Sequence, residues 1–400
     1  MKVLMLGWEL PPFNSGGLGV VCYEMSHALA NSGAAIDFVV PYEADHKIDF
    51  MNVHAAHKLD PLEFRKGAGV YASEQSLRLA TDVTELHGMV NQTKEYARGV
   101  GSLIQSLEFD VIHAHDWLTM RAGILAKQLS GRPLFVHVHA TQFDQAGGKR
   151  GSEIIHEIEY MGLAMADRVI AISQRIKDLI IREYGVDPDK IEIVHNKIAA
   201  EKFTKVDNHN PYPVLEQLKE AGYQVVVCLG RITVQKGLST LLHTFKKVVD
   251  ENPKALLLLA GTGDQLRELQ LLAADLGITT NVLFTNSFVS GAAQRWAYRI
   301  ADLFVMPSIS EPFGITAMEA PMQHTPVLVS KQSGVAEVLQ NCLKVDHWDV
   351  DGMANQIVSA LNSPGLLKTL TEASREEIFG MVWSDAAKLL RGHYSQAVAA

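Results

Sequence analysis

Long apolar stretches are missing from this chain. No segment approaches the roughly 18 uninterrupted apolar residues of a membrane-crossing helix, so no transmembrane segment is expected. Cysteine is scarce: Cys22, Cys228 and Cys342 lie in apolar runs and form no Cys-x-x-Cys pair. That argues against a disulfide framework or a zinc ribbon and points to a reduced, cytoplasmic protein. Positive charge is in deficit, with 36 Lys and Arg against 45 Asp and Glu and a formal net charge of −9. Nucleic acid and anionic membrane surfaces are therefore poor partner candidates. The opening apolar run, Met1 to Gly7, is strand-sized and is closed by Glu9 and Pro11-Pro12 too soon for a signal peptide. What is present is ordinary globular material: 400 residues, 47% hydrophobic and 20% charged, enough for two domains of about 200 residues each.

Strand-like and helix-like segments alternate along most of the chain, the pattern of parallel sheets with crossover helices. In the first half, strands are expected near 2–8, 35–41, 109–114, 134–140, 168–173 and 191–195. Helices are expected near 19–31, 117–130, 151–166 and 174–184, with Gly33 and Gly185 as C-terminal stops. Apolar residues in 43–90 are scattered and suggest a strand or hairpin at most. The stretch 201–222, with Asn208, Asn210, Pro211 and Pro213, breaks the periodicity and reads as a linker. A second series then begins with strands near 225–230, 255–260, 281–285, 302–306, 326–330 and 342–345. A helix at 237–250 follows its first strand, and helical patterns close the chain at 350–362, 365–378 and 384–398. The reading is α/β: two doubly wound domains, 1–200 and 223–380, joined by 201–222 and followed by a C-terminal helix, 381–400.

Ligands of open α/β sheets bind at the carboxyl edge of the strands, and the polar residues gather there. Ser310-Glu311-Pro312-Phe313-Gly314-Ile315-Thr316-Ala317-Met318-Glu319 follows the apolar run 302–306 and sets two carboxylates eight residues apart. A helix starting near Gly314 offers the N–H groups of Gly314, Ile315 and Thr316 to a phosphate. Glu319 then lies about 7.5 Å further along the axis. Arg231 and Lys236, in Gly230-Arg231-Ile232-Thr233-Val234-Gln235-Lys236-Gly237, follow the first strand of the second series. A guanidinium and an ammonium together suit a diphosphate, although an Arg/Lys pair on a loop often only salt-bridges the surface.

In the first half, Ser15-Gly16-Gly17-Leu18-Gly19 joins strand one to helix one. It does not match the Gly-x-Gly-x-x-Gly dinucleotide fingerprint, which weakens an oxidoreductase reading, but it allows close backbone approach to a ligand. Gly261-Thr262-Gly263-Asp264 reads as a turn with a helix cap. Of the sixteen histidines, His113 and His115, with Asp116, close one strand and read as hydrogen-bonded edge residues, not metal ligands. His137 and His139 are read as facing opposite sides of the next strand, with His139 at the ligand edge.

Together, the glycine loop, His139, Arg231 to Lys236 and Glu311 to Glu319 resemble the GT-B glycosyltransferases, specifically retaining family 4, over essentially the whole chain. The opening Trp8-Glu9-Leu10-Pro11-Pro12 and Gly16-Gly17-Leu18-Gly19 are similar to glycogen and starch synthase relatives. Two departures stand out. Asn14-Ser15 occupies the place where those synthases carry Lys before Thr-Gly-Gly, and His195-Asn196-Lys197 the place where family 4 usually shows Asn followed by Gly.

The resemblance implies two Rossmann-like domains facing across a cleft, the first on the acceptor side and the second holding the donor, with the last helix crossing back to the first domain. The donor is a nucleotide-diphosphate sugar such as ADP-glucose or UDP-glucose, and the acceptor a sugar or glucan. Arg231 and Lys236 would neutralise the leaving diphosphate, helped by backbone at Gly16-Gly17, Gly314, Ile315 and Thr316. Glu311 would bind sugar hydroxyls, Glu319 the ribose, and His139 the sugar from the first domain. No metal and no cofactor are expected, because fixed cations and a helix dipole can offset leaving-group charge. The alternatives are a sugar-nucleotide-binding regulatory module without transfer activity, a GT-B nucleotide-sugar epimerase, and a phosphorylase, for which no pyridoxal-binding lysine motif is evident.

Overall fold

The computed structural model describes residues 1–14, 16–57, 83–205 and 207–399. The chain divides into two compact units, Met1–Lys197 with Val382–Ala400, and Ile198–Met381.

The first unit is built on strands β1 (Lys2–Leu6), β2 (Ala35–Val40), β3 (Asn52–Ala55), β4 (Val111–His115), β5 (Leu134–Val138), β6 (Arg168–Ala171) and β7 (Ile191–Ile193). They form one sheet in the order β3-β2-β1-β4-β5-β6-β7, and every pairing is parallel. The order reverses between β1 and β4, where such sheets bind ligands at their carboxyl ends. Helices covering both faces explain why β4 and β5 are buried at every position. Gly131 and Gly185 end the helices Asp116–Ser130 and Gln174–Tyr184 at φ 68° and 65°, a conformation glycine adopts without steric cost. Gly33, at φ 90°, follows the C-cap Ser32 of the helix Gly17–Asn31. The closing helix, Trp383–Ala399, packs on Gly17–Asn31 within this unit.

The segment 43–90 holds the expected strand and, beyond that reading, the start of a helix. Among the described residues it contributes the parallel strand β3, beside β2, and the start of a long helix, Val83–Leu103. Met89, Val90, Thr93, Tyr96, Ala97 and Val100 are buried along that helix, a spacing of three and four that marks an amphipathic helix. The part of the expected strand or hairpin that falls on 58–82 lies outside the described residues.

The second unit repeats the plan with β8 (Gln224–Leu229), β9 (Ala255–Ala260), β10 (Val282–Phe284), β11 (Leu303–Met306), β12 (Val327–Ser330) and β13 (Leu343–Val345). The order is β10-β9-β8-β11-β12-β13, again all parallel, and it reverses between β8 and β11. Leu257 and Leu259 of β9, Val226 of β8 and Val305 of β11 share one core with Leu241, Leu242 and Phe245 of the helix Leu238–Glu251. Each such side chain contributes about 1.5–3 kcal/mol by burial. The stretch 201–222 carries the short helices Ala200–Phe203 and Pro213–Glu220 and groups with this unit.

Candidate active site

In the second unit the loops after β8 and β11 meet at the switch point. Gly230, Arg231, Lys236, Met306, Pro307 and Ser308 line a pocket there. Lys236 Nζ donates to Glu311 Oε2 at 2.5 Å, and Ser308 Oγ donates to the same oxygen at 3.0 Å. Glu311 is 8% exposed and is held from the other side by its backbone: its N–H donates to Gln332 O and its carbonyl accepts from Gly334 N, each at 3.0 Å. Arg231 Nη2 lies 3.5 Å from Gln235 Oε1, and Gln235 Nε2 donates to Ser310 O at 2.8 Å, so one glutamine ties the cationic loop to the acidic one. Two cations and a carboxylate expected to share one strand edge are thus brought together, with one of the cations already paired to the carboxylate.

Close backbone approach makes this arrangement possible. A Cβ on Gly237 (φ 65°) would lie 2.4 Å from Pro307 O. Gly261 and Gly263 have a role other than the expected turn and cap. The helix after them, Leu266–Asp275, has Gln265 as N-cap and no side-chain cap. The loop instead runs against 230–232, where Gly230 N donates to Ala260 O at 3.0 Å and Ile232 N to Thr262 O at 2.9 Å. A Cβ on Gly261 would sit 1.9 Å from Gly230 O.

The helix carrying Glu319 spans Thr316–Met322, with Ile315 as N-cap. It does not start at Gly314 because Gly314 has φ 105°, a left-handed bend; the first bonds are Ala317 N to Gly314 O and Met318 N to Ile315 O. Thr316 Oγ1 faces Met306 Sδ at 3.7 Å. Glu319, 5% exposed, accepts from Tyr298 OH and Gln294 Nε2, both at 2.7 Å. Burial pushes its carboxyl up to about 7, against the pull of those two hydrogen bonds. Ser308, Gln235, Gln294 and Tyr298 were not singled out in the sequence. Isolated polar residues on separate elements carry no spacing signal.

The corresponding edge of the first unit is chemically different. Gly16 is the extended N-cap of Gly17–Asn31 and makes no side-chain cap; Asn14 Nδ2 donates to Gly16 O at 2.9 Å. Ser15 lies outside the described residues. Gly19 N points at Glu9 Oε1, 3.3 Å away.

At the ends of β4 and β5, His113, His115, His137 and His139 form a buried block of imidazoles. The rings of His137 and His139 stack at 4.3 Å, which overturns their assignment to opposite faces. Side chains two apart on a strand share a face, because the period is two. His115 Nδ1 and His139 Nε2 are 2.9 Å apart, and His113 Nε2 and His137 Nδ1 3.1 Å. Burial holds His113 and His139 down to about 3 and depresses His115 and His137 well below the usual histidine range. Asp116 accepts from the backbone N–H groups of His139 at 2.6 Å and Ala140 at 3.3 Å. Burial raises its carboxyl to about 7. His113, His115 and Asp116 are thus hydrogen-bonded, as read.

Two overlapping sets, Cys22/His115/His139 and His113/His115/His137, place possible ligand atoms within 4.8 Å of one another. An ion there would have to displace hydrogen bonds that the imidazoles make with each other.

The two units, each a parallel sheet with the strand order of a dinucleotide-binding fold and the second with an ion-paired switch-point loop, define a two-domain Rossmann-like architecture of the GT-B class. The family model for "Glycosyltransferase Family 4" matches residues 15–202, and that for "Glycosyl transferases group 1" matches 216–377. An uncharacterized glycosyltransferase of Methanocaldococcus jannaschii is 28% identical, with 97% of this chain and 96% of that protein aligned. A glycogen synthase of Mycobacterium tuberculosis is 26% identical over 94% of this chain and 90% of its own length. Among solved structures, a sucrose-phosphate synthase from Thermosynechococcus elongatus superposes with a TM-score of 0.79 at 19% identity, covering 100% and 99% of the two chains. The chain belongs to the GT-B glycosyltransferases of the family 4, glycogen synthase-like kind, and its activity is glycosyl transfer.

Proposed function

We propose that the chain is a retaining, metal-independent hexosyltransferase that moves glucose from a nucleotide-diphosphate sugar, such as ADP-glucose or UDP-glucose, to a sugar or glucan acceptor. The observation that carries this reading is the switch point of the second sheet, where Arg231 and the Lys236–Glu311 pair line one pocket. As the bond to the leaving phosphate breaks, negative charge grows on the diphosphate. Arg231 and Lys236 stabilise that charge without needing an ion. When the donor arrives, phosphate oxygens compete with Glu311 for the Lys236 ammonium, and the released carboxylate becomes available to sugar hydroxyls. Glu319 binds the ribose, which does not change during the reaction. Retention follows from attack on the face the leaving group departs, with the leaving phosphate oxygen accepting the acceptor's proton. His139 is assigned to the transferred sugar.

The test is release of nucleoside diphosphate from a panel of nucleotide sugars in excess EDTA, with and without sugar and glucan acceptors. Acceptor-dependent release with a retained anomeric configuration supports the reading. Binding without turnover under every acceptor favours the sugar-nucleotide-binding module, and a changed sugar without transfer favours the epimerase.

A further inference from the structure

Two hydrogen-bonded chains run through the imidazole block of the first unit, one ending on the Met5 thioether and the other on the Tyr394 phenol. Met5 Sδ is a thioether, which accepts and cannot donate; it lies 3.0 Å from His115 Nε2. That nitrogen therefore carries the proton. Neutral His115 then has a bare Nδ1, so the proton in its contact with His139 belongs to His139 Nε2, and His139 Nδ1 is left bare. In the other chain the Tyr394 hydroxyl is fully buried, and its one hydrogen bond among the described residues is to His113 Nδ1. Donating there gives the buried phenol proton the partner it would otherwise lack, so His113 carries its own proton on Nε2 and donates to His137 Nδ1. His137 is left with an N–H on Nε2. Both terminal atoms, His137 Nε2 and His139 Nδ1, are buried without a partner, on adjacent stacked rings.

We infer that Met5 and Tyr394 are positioning residues that lock all four histidines as the Nε2–H tautomer, so that two stacked neighbouring rings present one N–H donor and one bare acceptor, the complementary set that a hydroxyl group needs. A hydroxyl both accepts and donates, and it would fill two buried hydrogen-bonding positions at once. Burial keeps the rings neutral, as a fixed tautomer requires. The hydroxyl comes from an enclosed water or from a sugar; only the second source rests on the glycosyl-transfer reading.

Long-range proton–nitrogen correlation NMR on the full-length chain with nitrogen-labelled histidine reads each tautomer directly. The four imidazoles should show protonated Nε2 and bare Nδ1, unchanged from about pH 6 to 8. Met5→Leu should let His115 and His139 shift partly to the Nδ1–H form while His113 and His137 stay as they were. Tyr394→Phe should do the converse. A His139 Nδ1–H signal in the wild type, no redistribution in either variant, or one stoichiometric metal ion in the purified protein would overturn the inference. Adding ADP-glucose or UDP-glucose distinguishes the sources. A shift at His139 Nδ1 assigns the hydroxyl to the sugar, and an unmoved signal with the tautomers intact assigns it to water. A chain without transferase activity but with this proton pattern counts against the proposed function and leaves the tautomer lock standing.

Discussion

The two sheets have the same strand order through their first six strands, yet their carboxyl edges carry opposite chemistry. In the second unit the edge is ionic, with Lys236 bonded to Glu311 and Arg231 beside them. In the first it is a block of neutral imidazoles with a carboxyl, Asp116, raised to about 7 by burial. A fold supplies an edge with free backbone and helix ends; the side chains set there decide whether it handles charge or hydroxyls. The ionic edge suits a group whose charge changes during reaction, and the neutral edge suits hydroxyl recognition.

The largest expected effect breaks the ionic edge. Lys236→Ala should lower kcat by about 10²- to 10³-fold, roughly 2 to 4 kcal/mol, and should also destabilise the second unit by about 3 kcal/mol, because Glu311 loses its cation in a largely buried place. Lys236→Ala with Glu311→Gln should recover most of the stability, measured by urea denaturation, but not the rate. The same substitution test at the neutral edge should give less: His139→Ala removes a neutral hydrogen bond worth about 0.5–1.5 kcal/mol, so kcat/KM should fall no more than roughly tenfold.

Glu319 should separate from both. On the proposal that it binds the donor ribose, away from the reacting bond, Glu319→Ala should chiefly raise the donor KM with little change in kcat, the mark of uniform binding. Its pH dependence has a fixed sign. The folded carboxyl, near 7, is raised above its unfolded value; its contribution to stability is full in acid and lost as pH rises towards 7. The histidines of the first unit act the other way. With folded values depressed, to about 3 for His113 and His139, they favour unfolding as pH falls below the ordinary histidine range, when the unfolded chain takes up protons. Asp116 and Glu159, raised by burial to about 7 and 8, oppose them but are fewer. The first unit should therefore lose stability between about pH 6.5 and 5, followed by denaturation at each pH, and His137→Leu should flatten that slope.

How much of this was legible in the sequence differs between the units for a physical reason. Runs such as Val225-Val226-Val227-Cys228-Leu229 and Leu256-Leu257-Leu258-Leu259 are continuous because a parallel strand is buried on both faces, and glycines marked the loops after them. The helix Val83–Leu103 is not evident in the sequence although Met89, Val90, Thr93, Tyr96, Ala97 and Val100 keep its period, because polar residues such as Asn91, Gln92, Lys94 and Glu95 scatter its apolar positions. Glu311 and Lys236 could be placed on one edge from strand ends alone. Their direct bond, across 75 positions, could not, and neither could the pairing of His115 with His139 or Tyr394 with His113. Such contacts depend on register between β4 and β5, where His115 stands opposite His137, and on where a terminal helix returns.

The smallest expected effect is none at all: if Arg231 and Lys236 meet the leaving charge as proposed, excess EDTA should leave the rate unchanged. Full loss restored by magnesium or manganese would transfer that role to an ion.

The central claim is that the ionic edge of the second unit stabilises the departing diphosphate, and kcat of Arg231→Ala at saturating donor tests it most directly, because Arg231 can be removed without leaving Glu311 unpaired from Lys236. With folding confirmed by circular dichroism, a fall of about 10²- to 10³-fold in kcat is the predicted result. A near-normal kcat accompanied only by a higher donor KM would contradict it.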